Sequence, residues 1–170
     1  MKITSQEEYG LRCLLRLAEA GTEKSLTIPE IAAAEGLSSP YVAKLLAVLR
    51  QAGLIDSVRG CQGGYRLARP PVDVTIGEVL AALGEPLFDD PGYCIKHAGT
   101  ETDGACVHHS QCNLKDLWQS LEQWMRRALE QITLADALHQ GPRLGERIRA
   151  RLAEAVREEP VMPRIPLTTL

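Results

Sequence analysis

Residues 27–68 read TIPEIAAAEGLSSPYVAKLLAVLRQAGLIDSVRGCQGGYRLA, and the order of signals in this stretch decides the fold. Thr27-Ile28-Pro29-Glu30 joins an N-cap threonine, a proline in the first turn and a glutamate whose carboxylate can return to the cap N–H. A helix therefore starts there and runs through residues 31–34 to Gly36. The short turn Gly36-Leu37-Ser38 follows. A second helix then opens at Ser38 or Ser39 with Pro40 in its first turn, carries Val42, Leu45, Leu46 and Leu49 at helical spacing, and closes at Gly53. Two short helices across a three-residue, glycine-containing turn are the helix-turn-helix signature. Leu54-Ile55-Asp56-Ser57-Val58 reads as a strand, residues 59–64 as a glycine-rich turn, and Tyr65-Arg66-Leu67-Ala68 as the returning strand. A hairpin directly after a helix-turn-helix is the winged-helix order.

Outward from this core, a helix precedes it from about Ser5, with Thr4-x-x-Glu7 and Ser5-x-x-Glu8 both fitting a capping box and Leu11, Leu14, Leu15 and Ala18 marking its apolar face. A further helix follows from Thr75, where Glu78 completes another box. Residues 84–113 lose periodicity and hold three cysteines. From Asn113 to about Ile132 a long helix is expected, with an apolar stripe of Leu114, Leu117, Trp118, Leu121, Trp124, Met125 and Leu129. Leu144, Ile148, Leu152 and Val156 step by four, which predicts an amphipathic tail helix. The expected architecture is mainly α with a small β-hairpin wing: a winged helix-turn-helix DNA-binding domain at 1–83, a Cys-rich loop at 84–112, a dimerisation helix at 113–138, and a C-terminal amphipathic helix and tail at 139–170.

The chain has 170 residues, is 45% apolar and carries a formal charge of −3, which on its face argues against a strongly basic nucleic-acid protein. The charge is unevenly spread. Residues 37–72 hold Lys44, Arg50, Arg59, Arg66 and Arg69 against the single acid Asp56. A helix N-terminus at Ser38 and Ser39 offers N–H groups and hydroxyls to phosphate, and Tyr41 and Lys44 lie one turn further on. Arg59, followed by Gly60 at the hairpin tip, suits insertion into a narrow minor groove. Gly60, Gly63 and Gly64 permit a tight wing and a close approach to the sugar-phosphate backbone. Ser38, Ser39, Tyr41, Lys44, Arg50, Arg59 and Gly60 are thus the expected contacts to double-stranded DNA, whereas Arg66 and Arg69 suit solvated strand charges equally well and Tyr65 suits the core. One such unit reads few bases, so a homodimer built on the Trp-bearing helix is expected.

Of five cysteines, Cys94, Cys106 and Cys112 crowd into 19 residues. With no charged-then-apolar leader and no run of apolar residues long enough to span a membrane, the expected location is cytoplasmic, away from membranes, where thiols stay reduced. Such a cluster then points to metal or redox chemistry. The gaps of eleven and five residues are wider than structural zinc pairs use and suit an iron–sulfur cluster held by a flexible segment. The fourth ligand falls among His97, His108, His109 or a carboxylate from elsewhere. Cys13 lies among apolar helix positions and reads as core; Cys61 at the wing tip reads as exposed. No nucleophile with a placed base, phosphate-binding glycine loop or paired acids suggest an enzyme.

Met1-Lys2-Ile3-Thr4-Ser5, Ser39-Pro40-Tyr41, Leu54 to Gly60 into Gly63-Gly64-Tyr65, Thr75-Ile76-Gly77-Glu78-Val79 and Thr133-Leu134-Ala135-Asp136 together resemble the Rrf2 family of winged-helix regulators, the IscR, NsrR, RirA and CymR type, over about residues 1–138. The resemblance implies a homodimeric transcription factor, in many members carrying a 2Fe–2S or 4Fe–4S cluster on three cysteines, which map onto Cys94, Cys106 and Cys112, with the wing arginine at Arg59. Some members use a histidine three residues after the third cysteine, where this chain has Lys115. Others use an acid early in the first helix of the partner subunit, and Glu8 matches it; His108 or His109 is the next choice. The plainer reading of Glu8 is an i,i+4 ion pair with Arg12. Two alternatives accompany the cluster regulator: a cluster-free thiol- or zinc-responsive regulator of the same fold, as CymR-like relatives imply, and a protein-interaction module that binds a metabolic enzyme.

Overall fold

The computed structural model describes residues 3–60, 63–84, 93, 95–97, 106, 112–138 and 144–158. In chain order these form α1 (Ser5–Ala20), α2 (Ile28–Glu35), α3 (Ser39–Gln51), β1 (Ile55–Val58), β2 (Gly64–Leu67), a 3-10 turn (Pro71–Asp73), α4 (Ile76–Leu83), α5 (Asn113–Glu130), α6 (Leu134–Leu138) and α7 (Leu144–Glu158). The described residues are mostly helical with one antiparallel hairpin, as the sequence predicts.

Four helices start on the same device, α6 doing so through Thr133 and Asp136. Thr4 with Glu7, Thr27 with Glu30 and Thr75 with Glu78 each form a complete capping box, in which hydroxyl and carboxylate satisfy N–H groups that the first turn leaves free. Of the two boxes legible at the first helix, Thr4 and Glu7 form the real one, which leaves Glu8 out of the cap. The boxes hold the Glu30 and Glu78 carboxyls below the usual carboxylate range, chiefly through the backbone N–H groups of Thr27 and Thr75.

The core is built around α1. Cys13, Leu14 and Leu17 are fully buried against Ile31 from α2, Val42, Leu45, Leu46 and Leu49 from α3, and Val79 from α4. Cys13 is a core residue as expected, and burial pushes its thiol up to about 11. The angle between α1 and α2 is pinned by charge. The Glu35 carboxylate, 8% exposed, receives Arg12 Nε at 2.9 Å and Arg16 Nε at 3.0 Å, and Arg12 Nη2 donates to the Glu35 carbonyl at 3.0 Å. Arg12 also lies over the Tyr9 ring, 5.4 Å from its centroid. The expected Glu8–Arg12 pair is therefore not what Arg12 makes: Glu35 presents a carboxylate largely shielded from solvent together with its own backbone carbonyl, and the guanidinium bonds to both.

The hairpin pairs Ile55 with Leu67, Asp56 with Arg66, Ser57 with Tyr65 and Val58 with Gly64. Ile55 and Leu67 point into the core at 1% and 2% exposure, so Asp56 and Arg66 stand on the opposite face. Leu26, just ahead of the α2 cap, pairs with the free edge of β2: Leu26 N donates to the Tyr65 carbonyl at 2.9 Å and Tyr65 N to the Leu26 carbonyl at 2.8 Å. The wing is thereby tied to the helix-turn-helix by backbone bonds.

The C-terminal helices close onto the same core. Ile76 N donates to the Ile132 carbonyl and Leu134 N to the Val74 carbonyl, each at 2.8 Å, and Ile132 and Leu134 are buried. Asp136 on α6 is 6% exposed. Its carboxylate accepts from Thr133 N at 3.0 Å and Thr133 Oγ1 at 2.8 Å, and from α7 it receives Arg147 at 3.2 Å and Arg151 at 3.0 Å. Ile148 and Leu152 of α7 pack alongside. Burial alone would raise this carboxyl; the Thr133 bonds and then the Arg151 and Arg147 guanidiniums outweigh it, so it titrates below the usual range. A folded-state value below the unfolded one contributes stability that is present above the unfolded value and lost as pH falls through the folded one. Asp136→Asn is accordingly expected to cost about 1–3 kcal/mol at neutral pH in urea unfolding. The gap from the parent should narrow below about pH 4. Equal stabilities at neutral pH would rule out the two-arginine latch.

Only part of the long helix is covered. On α5, Ala128 is buried, but Leu114, Leu117, Leu121 and Trp124 are 58%, 48%, 39% and 42% exposed. Their spacing is three, four and three residues, the 3.5-residue period of a coiled-coil seam. Trp118 and Met125 are half-buried. No helix among the described residues is long and apolar enough to cross a membrane.

Candidate nucleic-acid interface and cysteine segment

α3 turns its four buried residues inward and leaves its N-terminal turn to solvent. Ser38 is the N-cap residue, yet its hydroxyl makes no cap bond, and Ser38, Ser39 and Pro40 are exposed. Pro40 has no N–H and Tyr41 N donates to the Ser38 carbonyl at 3.0 Å, so the exposed Ser38 and Ser39 hydroxyls and the Ser39 N–H are what this turn offers to a phosphate. Tyr41 is half-buried, its ring edge-on to Tyr9 at 6.1 Å and 84°, so α1 packs against the opening turn of α3. Lys44 one turn on and Arg50 in the last turn are exposed, and neither makes an ion pair among the described residues.

Arg59 follows β1 directly and is exposed. Gly60 beside it has φ +106°, a conformation that side chains rarely adopt, so the turn at the wing depends on glycine there. Gly64 plays a different part from the one its sequence suggests. A Cβ on it would lie 2.5 Å from the Leu26 carbonyl oxygen, so its missing side chain admits the protein's own backbone rather than that of DNA. Tyr65 packs against the core, as expected. Arg69, undecided in the sequence, is committed within the protein: it pairs with Glu78 at 3.1 Å and donates to the Asp73 carbonyl at 3.0 Å.

The cysteine segment is only partly described. Cys94, Cys61, His108 and His109 lie outside the described residues. Cys106 and Cys112 are half-buried free thiols. Cys112 is the N-cap of α5, its Sγ accepting from Lys115 N at 3.4 Å. His97 Nδ1 sits 2.8 Å from the Tyr93 carbonyl and its ring stacks on Tyr93 at 4.4 Å, the local engagement of a plain loop residue. Glu8 is exposed, and no ion pair or side-chain hydrogen bond among the described residues engages its carboxylate. It lines an open depression of about 320 Å³ with Ile3, Thr4, Ser5 and Tyr9. Among the described residues, no three His, Cys, Asp or Glu side chains converge on a common point.

Residues 3–140 match the family model Rrf2, described as an iron-dependent transcriptional regulator. The chain belongs to the Rrf2 family. It is 37% identical over 138 residues to Protein rrf2 of Nitratidesulfovibrio vulgaris strain Hildenborough, covering 81% of this chain and 87% of that one. Among solved structures it resembles T. potens IscR, with TM-score 0.61, 34% identity, and coverage of 81% of this chain and 86% of the other. It also resembles CymR, the global cysteine regulator of B. subtilis, with TM-score 0.61, 28% identity, and coverage of 81% and 96%. Membership of this family makes the chain a DNA-binding transcriptional regulator and not an enzyme. α7 lies beyond the matched stretch.

Sequence reasoning missed three contributors. The Leu26 strand is a single bridge, too short for a periodic signal. The Glu35 clamp joins residues 19 and 23 positions apart, which no local pattern reveals. The difference between Arg66 and Arg69 lies wholly in which carboxylate the fold brings near.

Proposed function

We propose that this Rrf2 regulator works in the cytoplasm as a homodimer whose hold on double-stranded DNA is set by an iron–sulfur cluster, 2Fe–2S or 4Fe–4S, on Cys94, Cys106 and Cys112, with Glu8 of the partner subunit as fourth ligand. The observation that carries this is the Glu8 carboxylate. Its helical neighbour Arg12 is taken up by Glu35 and Tyr9, so Glu8 stands free in an open depression beside Ile3, itself 62% exposed. A free acid with an uncovered apolar neighbour is a surface that a second subunit would cover.

The donor set suits the group. Cys106 and Cys112 are unpaired thiols, and Cys112 sits at a helix N-terminus, where the backbone dipoles favour an anion. Thiolates with one oxygen donor fit iron–sulfur ligation, and the group when bound would supply a redox- and ligand-sensitive link between these residues. The chain's own part is mechanical. Cys112 caps α5, Glu8 lies on α1 next to Tyr9, and Tyr9 packs on Tyr41 in the opening turn of α3. Ligation at both ends would tie the dimer helix of one protomer to the reading head of the other, a two-state element biased by a ligand. Ser38, Ser39, Tyr41, Lys44, Arg50, Arg59 and Gly60 supply the DNA contacts.

Anaerobic purification followed by visible absorption and iron and sulfide analysis tests the cluster. A coloured protein with matching iron and sulfide is expected, and Glu8→Ala should hasten loss of the colour. Colourless protein with stoichiometric zinc overturns the cluster in favour of the zinc or thiol regulator. Unchanged cluster lifetime in Glu8→Ala removes Glu8 as a ligand.

A further inference from the structure

The fold sorts the five cations of residues 37–72. Arg69 is neutralised by Glu78. Lys44, Arg50 and Arg59 are exposed and already belong to the proposed reading surface. Arg66 is a different case. It stands on the outer face of the wing, directly across from Asp56 in the β1–β2 register, yet no ion pair joins the two. Its Nε is the single buried side-chain nitrogen or oxygen atom among the described residues that has no hydrogen-bond partner. No hydrogen bond or ion pair among those residues engages its terminal nitrogens either.

This is an unusual state for an arginine. The root of the guanidinium is held by packing, and a buried N–H without an acceptor costs free energy. The cross-strand carboxylate that would ordinarily neutralise it is within the register and unused. The charge is therefore carried on a stiffened stem, with Nε shielded and the two Nη groups left to bond. That geometry suits an end-on contact to an oxyanion outside the protein. β1 begins four residues after α3 ends, so this face follows the reading helix closely in the chain.

We infer that Arg66 is a DNA-phosphate anchor on the outer face of the wing. It holds the sugar-phosphate backbone without reading sequence, while Asp56 beside it weakens that hold by like-charge repulsion of the phosphate. The inference rests on the wing lying against DNA and is independent of the cluster. The simpler role, a cross-strand partner for Asp56, predicts the opposite sign for one variant, which makes the two separable.

The test is fluorescence anisotropy of the full chain with a labelled random-sequence duplex over a range of salt concentrations. Arg66→Gln should weaken binding roughly tenfold at low salt, by a similar factor on any sequence, and reduce the slope of log K against log salt by about 1 per bound wing. Arg66→Lys should keep most of the slope, because charge rather than fork geometry sets it. Asp56→Asn should tighten binding. An unchanged slope in Arg66→Gln overturns the anchor, and so does Asp56→Asn weakening binding alongside it, the mark of a cross-strand pair. Thermal melts check folding; if Arg66→Gln fails to fold, the slope is read on Arg66→Met, which keeps the apolar stem and removes the charge. Wild-type chain that binds no duplex at low salt overturns the wing–DNA placement itself, whereas wild-type binding with an inert Arg66 overturns the anchor alone.

Discussion

Gly64→Ala is expected to destabilise the protein by about 2–4 kcal/mol, a drop of roughly 5–15 °C in the melting midpoint for a chain of this size. The new Cβ would sit 2.5 Å from the Leu26 carbonyl oxygen and 2.7 Å from its carbon, both backbone atoms. Relief by a side-chain rotation is not available. Leu26 is fixed from both sides, by its paired bonds to Tyr65 and by Thr27, which caps α2. Something in the ladder must break, and the loss of the Leu26–Tyr65 pair would detach the wing from the helix-turn-helix. Gly60→Ala is the matched control: its Cβ meets nothing within 4 Å, so only the backbone strain at φ +106° applies, on the order of 1 kcal/mol. Circular dichroism melts measure both. A Gly64→Ala chain melting within a degree of the parent would show that the Leu26 strand can move aside.

The second large effect concerns the seam on α5. Leu117→Asp combined with Leu121→Asp is expected to convert the proposed dimer into a monomer, raising the dimer dissociation constant at least about a thousandfold, or ~4 kcal/mol. Leu117 and Leu121 are 48% and 39% exposed in a single chain, so the substitutions leave the core intact and the monomer should keep its helicity. In a paired seam they would place four carboxylates in an apolar strip. Sedimentation velocity reads the assembly state directly. DNA affinity should fall with it, because two reading heads on one molecule bind two half-sites with a linkage advantage that separate heads lack. A doubly substituted chain that still sediments as a dimer would move the interface elsewhere.

The helix-turn-helix and the wing were legible because their determinants are local. Capping boxes act over three residues, prolines over one turn and apolar periodicity over two, so Thr27-Ile28-Pro29-Glu30 and Val42, Leu45, Leu46 and Leu49 announce their helices without neighbours. Cys13 and Tyr65 were legible as core for the same reason. The family likeness extended this reach to the whole winged head. What lay hidden was choice among equivalent partners. Arg12 had a carboxylate four residues away and used one twenty-three residues away, because Glu35 is buried and offers two acceptors. Arg66 and Arg69 look alike in the sequence, yet one is paired with Glu78 and the other, facing Asp56, is paired with nothing among the described residues.

By itself, then, the sequence determined where helices and strands begin, which faces are apolar, that one stretch is basic within an acidic chain, and that three cysteines cluster. Each is a property of residues within a few positions of one another. The tertiary structure decided that Gly64 makes room for Leu26, that the Thr133 and Asp136 cap is also the anchor for Arg147 and Arg151, that Glu8 is left without a partner among the described residues, and that a seam of Leu114, Leu117, Leu121 and Trp124 remains uncovered. These depend on distances between segments far apart in the chain. Such distances are set by how the whole core packs, and no short-range pattern of residue types encodes them.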